Sequence, residues 1–214
     1  MIINAPFARE LAAHLLDINA VILRPNEPFQ WSSGWNSPIY CDNRLTLRHP
    51  HIRAGIAQHF AEKINDGFSD IDVVTGTATA GIPHAAWVAD RVNKPLAYVR
   101  AKAKAYGMGN QIEGGVAKGE ATIVIEDLIS TGGSAISVIE ALKFIGADVQ
   151  AVLSIFTYGF EKANKRFSEM GVPVYTLTDY ETLVDVAVER GFVTNNDLEL
   201  LSSWREAPDV WPNT

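Results

Sequence analysis

The sequence predicts an α/β protein with a mostly parallel central sheet flanked by helices. Three observations predict it. From about residue 71, short apolar runs alternate with segments of helical periodicity, the pattern of strands joined by crossover helices. Composition is that of an ordinary soluble chain, 47% hydrophobic and 20% charged. The length, 214 residues, suits one domain with a sizeable core.

Residues 6–18 read as a helix with Phe7, Leu11, Leu15 and Ile18 on one face. Residues 20–44 mix short apolar pieces with Pro, Gly, Asn and Ser, and read as strands and loops. A second helix fits 49–65, where Ile52, Ile56, Phe60 and Ile64 recur every four residues. Strands are expected at 71–75, 96–100, 121–126, 150–156 and 173–177. Helices are expected at 81–92, 133–145, 160–170, 180–190 and 195–206. The stretch 101–119 reads as a long segment without regular structure, and such a segment is usually functional. The Trp-rich end, Trp204 to Trp211, is expected to pack on the N-terminal helix or at a subunit contact.

The formal net charge of −7 argues against nucleic acid as a partner. No apolar run approaches the ~18–20 residues of a membrane span, and the N-terminus shows no secretory signal. The single cysteine, Cys41, excludes an internal disulfide and fits a reducing cytosol, so a cytoplasmic location is expected. Cys41 itself reads as a small part-buried side chain. The five histidines have no metal-ligand spacing, and His84 reads as structural.

The chemistry concentrates in Glu126-Asp127-Leu128-Ile129-Ser130-Thr131-Gly132-Gly133-Ser134. An apolar strand ends in two carboxylates, then in hydroxyls and glycines that open a helix. Gly132 and Gly133 let the backbone turn tightly. Free N–H groups at the helix start, with the hydroxyls of Ser130, Thr131 and Ser134, suit a phosphate. Glu126 and Asp127 would repel a phosphate and suit sugar hydroxyls, or a cation that accompanies the ligand. There is no Lys after the glycines and no Gly-x-Gly-x-x-Gly, so neither common nucleotide loop is present. Ser130 has no partner base for nucleophilic chemistry.

Two further segments follow expected strands. Thr75-Gly76-Thr77-Ala78-Thr79-Ala80-Gly81 is small and rich in hydroxyls, which lets backbone N–H groups approach an anion. Arg100-Ala101-Lys102-Ala103-Lys104-Ala105-Tyr106 carries a cation at every second position, which in an extended chain would point the same way and suit a pyrophosphate. Ligands of open parallel sheets bind beyond the carboxyl ends of the strands. The three segments therefore point to one site.

The acid-pair loop resembles the phosphoribosyl-pyrophosphate (PRPP) motif of the type I phosphoribosyltransferases. Residues 31–44, 75–84 and 98–115 resemble those of the orotate-specific branch of that family, and with the acid-pair loop they span most of the range 24–134. The resemblance implies a type I phosphoribosyltransferase fold over the single domain 1–214, with about 1–45 forming a small N-terminal hood over the base. It implies transfer of a phosphoribosyl group from PRPP to orotate, giving orotidine 5′-monophosphate and pyrophosphate in pyrimidine biosynthesis. Arg100, Lys102, Lys104, Tyr106 and the run Glu126 to Ser134 fall on PRPP-binding positions, with Lys104 and Asp127 in catalytic ones. Arg24, Tyr40 and Ser130 fall on positions facing orotate, where Tyr40 could stack on the flat ring. Mg²⁺ is expected on the PRPP oxygens, with no direct protein ligand. A homodimer is expected, the 100–115 loop of one subunit closing over the other's site.

Tyr106 stands where the family often has His, Ala101 where it often has Lys, and Ala80 where some relatives have Lys. A purine phosphoribosyltransferase is the nearest alternative, against which residues 31–44 speak. A non-catalytic PRPP-binding regulator is a further one. It should carry a nucleic-acid-binding region or a basic face, and this chain has neither.

Overall fold

The computed structural model describes residues 1–31, 34–101 and 111–211. A six-stranded sheet forms the centre. Its strands are β5 (Val73–Thr77), β6 (Leu96–Val99), β7 (Ile112–Glu113), β8 (Ala121–Ile129), β9 (Asp148–Thr157) and β10 (Val174–Asp179). Their spatial order is β10-β9-β8-β5-β6-β7, parallel throughout except for the edge strand β7. The central strands are buried on both faces, as parallel strands under helices must be.

Helices α1 (Ala5–Asp17), α2 (Pro50–Gly67), α3 (Gly81–Val92) and α6 (Tyr180–Glu189) bury their apolar sides in one core with Ile123, Ile125 and Leu153. Helices α4 (Gly133–Phe144) and α5 (Glu161–Met170) bury theirs in a second core with Val99, Val124 and Val152. The alternation of Ile123, Val124 and Ile125 between the two cores is the strand period of two. Local sequence sets the helix ends. The Asn4 side chain accepts from Phe7 N and starts α1, with Pro6 in its first turn. Asn93 at φ 52° stops α3.

Residues 21–41 form two antiparallel ribbons apart from the main sheet. β1 (Val21–Leu23) pairs with β4 (Ile39–Cys41), and β2 (Phe29–Gln30) with β3 (Asn36–Ser37). Beyond β2 the chain turns back on itself: Trp31 N donates to Trp35 O and Gly34 N to Trp31 O, both at 2.8 Å. Gly34 adopts φ +87°, a backbone region that glycine enters without steric cost. A 3₁₀ helix, Asn43–Arg48, then leads to α2.

Four expectations are corrected. The strand expected at 121–126 runs on to Ile129, so the acid pair lies inside β8 and not after its end. The stretch 101–119 contains a short strand, β7, paired with β6. Residues 195–206 divide into a 3₁₀ turn, Asn195–Asp197, and α7 (Leu198–Glu206). Trp204 does not lie at a surface. It is fully buried in an aromatic cluster with Trp31, Tyr158, Phe160 and Tyr180, and its Nε1 donates to Asn36 O at 3.0 Å. Trp211, in contrast, is only partly buried against the core. Among the described residues, no helix is long and apolar enough to cross a membrane.

Trp204 thus fastens the last helix to the small ribbons. Trp204→Ala should cost roughly 3–5 kcal/mol, the scale of removing a buried aromatic, and lower the melting temperature by about 10 °C. Thermal unfolding followed by circular dichroism checks it.

Candidate active site

Two clefts open near the carboxyl ends of β5, β6 and β8. The larger, about 470 Å³, is lined by Gln30, Trp31, Trp35 and Tyr40 of the ribbons and by Leu128, Ser130 and Tyr158 of the main body, with Cys41 and Thr131 also on its wall. The smaller, about 260 Å³, is lined by Thr77 and Ala78 after β5, by Arg100 and Ala101 after β6, and by Gly133, Ser134, Ser137 and Val138 of α4. All three segments that the sequence marks therefore reach the second cleft. The loop 130–134 borders both: its first two hydroxyls face the aromatic cleft and its far end the smaller one.

Gly132 gives this loop its shape. It sits at φ +78° just before α4, and a Cβ there would lie 3.0 Å from the Phe167 ring. Among the described residues no side chain caps α4. Its first N–H groups are left to a ligand or water, and the helix dipole favours an anion there.

The acid pair sits where the sheet divides. β5 pairs with β8 only as far as Ile125, while β9 stays paired with β8 through Ile129. Gly81 starts α3 against the Ile125 carbonyl, where a Cβ would lie 2.5 Å from the oxygen. Glu126, 3% exposed, is held by a bond from Asp127 N to Oε1 at 3.1 Å. Its Oε2 has no hydrogen-bond partner among the described residues, an acceptor left open for a ligand donor. Burial pushes the Glu126 carboxyl well up, and the adjacent Asp127 carboxylate adds to the effect. Burial pushes Asp127 up as well.

Other groups are set for binding and not for proton transfer. Burial raises the Cys41 thiol well above its ordinary range, so it stands neutral on the cleft wall. Burial lowers His84 to about 4, which leaves it uncharged at neutral pH and unable to serve as a phosphate cation. Among the described residues, no group of three or more His, Cys, Asp or Glu side chains could hold a metal.

Arg100 carries a partner that the sequence does not reveal: its Nε lies 3.2 Å from Glu113 Oε1 on β7. Its backbone N also donates to Gln111 O at 3.0 Å. Arg24 stands outside the cleft lining, its guanidinium 5.0 Å over the Phe29 ring, which in turn touches Tyr40. Leu128 lines the aromatic cleft, whereas the Ile129 side chain is buried in the core, leaving only its backbone for a ligand. Lys102, Lys104 and Tyr106 lie outside the described residues. No local signal in the sequence marks Gln30, Tyr158 or Ser137 as cleft residues. Thr77 sat in a segment already marked.

This fold, with a glycine-hydroxyl loop after an acid pair, defines a phosphoribosyltransferase. The phosphoribosyl transferase domain model matches residues 43–174. Orotate phosphoribosyltransferase from Listeria innocua is 53% identical over 203 residues, 95% of this chain and 97% of that one. The enzyme of the same description from Halalkalibacterium halodurans is 56% identical over 205 residues, 95% and 98% of the two chains. The crystal structure of orotate phosphoribosyltransferase from Aeropyrum pernix superposes with a TM-score of 0.74 at 31% identity, covering 86% of this chain and 99% of that one. The chain belongs to the orotate phosphoribosyltransferase family.

The buried acid pair predicts a stability cost. With its folded-state pKa above the unfolded value, Glu126 costs nothing while protonated in both states. Stability is lost as pH rises through the ordinary carboxylate range toward the raised pKa. Glu126→Gln should therefore melt a few degrees above wild type at pH 8 while losing activity. The melting difference should narrow toward pH 5. Scanning calorimetry across that range checks it.

Proposed function

We propose that the aromatic cleft takes the orotate ring, the smaller cleft takes phosphate groups of PRPP, and the Glu126–Asp127 pair holds the ribose. The observation that carries this is the loop 130–134, which borders both clefts directly after the acid pair. The reaction is that of the family: the C1′–oxygen bond to pyrophosphate breaks, a bond from C1′ to the orotate ring nitrogen forms, and the proton of that nitrogen is released to water or to the departing pyrophosphate. Orotidine 5′-monophosphate and pyrophosphate are the products, a step in UMP biosynthesis.

Backbone N–H groups of Gly133 and Ser134, with the Ser130, Thr131 and Ser134 hydroxyls, bind the 5′-phosphate. Glu126 and Asp127 accept from the ribose hydroxyls, and the open Oε2 of Glu126 is one such acceptor. As pyrophosphate departs, positive charge grows on the ribose ring, and the Asp127 carboxylate lies where it can stabilise it. Arg100, Lys102, Lys104 and Tyr106 take the pyrophosphate charge, and Thr77 and Ala78 form the other wall of that cleft. Trp31, Trp35, Tyr40 and Tyr158 enclose the flat base and exclude water. Arg24 reaches the orotate carboxylate from the ribbon side only by leaving its place over the Phe29 ring. Residues 1–45 act as a hood within a single domain, 1–214.

Mg²⁺ enters on PRPP, since Mg²⁺ takes few protein ligands and keeps to substrate phosphates and water. When bound it neutralises pyrophosphate charge. A homodimer in which the 100–115 loop covers the partner's site belongs to the same reading. So does a cytoplasmic location, supported by the single cysteine.

The test follows orotate absorbance with PRPP and Mg²⁺, with adenine and xanthine run in parallel. Loss of the orotate signal that needs both PRPP and Mg²⁺ is expected. Turnover of a purine in its place would overturn the base assignment. Lys104→Ala should lower kcat by roughly 10²-fold or more, the scale of one lost transition-state charge partner. A near-normal rate would contradict the loop's role.

A further inference from the structure

Asn43 opens the 3₁₀ helix that joins the ribbons to α2, and its side chain is fully buried. Its Nδ2 donates to the Asp127 carbonyl at 2.7 Å, across 84 residues of sequence. Its Oδ1 accepts from Cys41 Sγ at 3.5 Å, and Cys41 lines the aromatic cleft. A carbonyl oxygen only accepts, so the amide can stand in one orientation only. Thr46 Oγ1 donates to the Asn43 carbonyl at 2.6 Å and fixes the backbone from the other side.

The position of this bond gives it meaning. β5 has left β8 at Ile125, so Asp127 lies beyond the reach of that strand. A part-buried carbonyl gains from a donor, and here β8 is paired with β9 but has no strand on its β5 side. The Asn43 amide stands in for the missing strand at the one residue where ribose chemistry needs a fixed carboxylate. It also ties that residue to the wall of the base cleft through Cys41.

We propose that Asn43 is a positioning residue that couples the base cleft to the acid pair by holding the Asp127 backbone. It touches no substrate. It sets the direction of the Asp127 side chain and makes ribose binding depend on the placement of the ribbons. This rests on the reading that Glu126 and Asp127 hold the ribose.

The test uses the full-length protein and compares wild type, Asn43→Ala and Asn43→Asp. Wild-type turnover of orotate with PRPP is measured first. Its absence would sink the functional reading before Asn43 is addressed. With wild type active, Asn43→Ala should lower kcat/KM for PRPP by 10-fold or more, while orotate binding measured alone by tryptophan fluorescence changes less than threefold. Asn43→Asp keeps the size and the acceptor for Cys41. Its new carboxyl can donate to the Asp127 carbonyl only when protonated. Its activity relative to wild type should therefore rise as pH is lowered from 9 to 6.

The ratio to wild type is essential, because Asp42, Arg44, Glu126 and Asp127 bear charge around the same point and His84 lies on the far side of Thr46. A flat ratio across pH would overturn the proposal. So would equal losses in orotate binding and in kcat/KM for PRPP, which a merely structural Asn43 would give. If Asn43→Ala does not fold, the pH ratio of Asn43→Asp decides alone.

Discussion

β5 can accompany β8 only as far as Ile125, because the chain must turn into α3 there and Gly81 lies directly against the Ile125 carbonyl. The sheet therefore divides while β8 continues four residues further along β9. The smaller cleft opens near this division, between the ends of β5 and β6 and the start of α4. From Glu126 onward β8 is paired on the β9 side alone, and the start of α4 borders the smaller cleft beside it. A side chain at Gly81 would push α3 off the strand. Glu126 and Asp127 are placed on a rigid central strand and not on a loop, which limits their motion before substrate arrives. The cost is burial of two acids side by side, and the raised pKa of both measures that cost.

The second support is aromatic. Tyr158 follows β9 and forms part of the aromatic cleft. Around it pack Trp31 from the ribbons, Phe160 from the main body, Tyr180 at the start of α6 and Trp204 from α7. Arg205 Nε donates to the Tyr158 carbonyl at 3.2 Å, and Trp204 Nε1 to that of Asn36. The ribbons are too small to fold alone, with strands of two or three residues. They hold their shape because the far end of the chain packs beneath them. The aromatic cleft is thus supported jointly by the first and last parts of the sequence.

The helices were legible because their buried faces repeat every three to four residues, as in Phe7, Leu11 and Leu15 or Ile52, Ile56 and Phe60. The loop 130–134 that borders both clefts was legible because its hydroxyls and glycines are contiguous. The continuation of β8 through Glu126 and Asp127 was not, since ionised side chains are depleted in strands and the apolar pattern stops at Ile125. β7 is two residues long, too short for any periodicity. Trp204 and Asn43 act through partners 168 and 84 residues distant, which no local pattern encodes. Arg24 has a position in the sequence that suggests a base contact, but its side chain rests on Phe29 outside the cleft lining.

The most direct measurement is a crystal structure of the protein with PRPP, Mg²⁺ and an orotate analogue that lacks the attacking ring nitrogen. The ribose hydroxyls should sit on Glu126 and Asp127, the 5′-phosphate on the N-terminus of α4, and the flat ring among Trp31, Trp35, Tyr40 and Tyr158. A ribose bound elsewhere, with Glu126 Oε2 still lacking a donor, would contradict the assignment of the divided sheet as the sugar site.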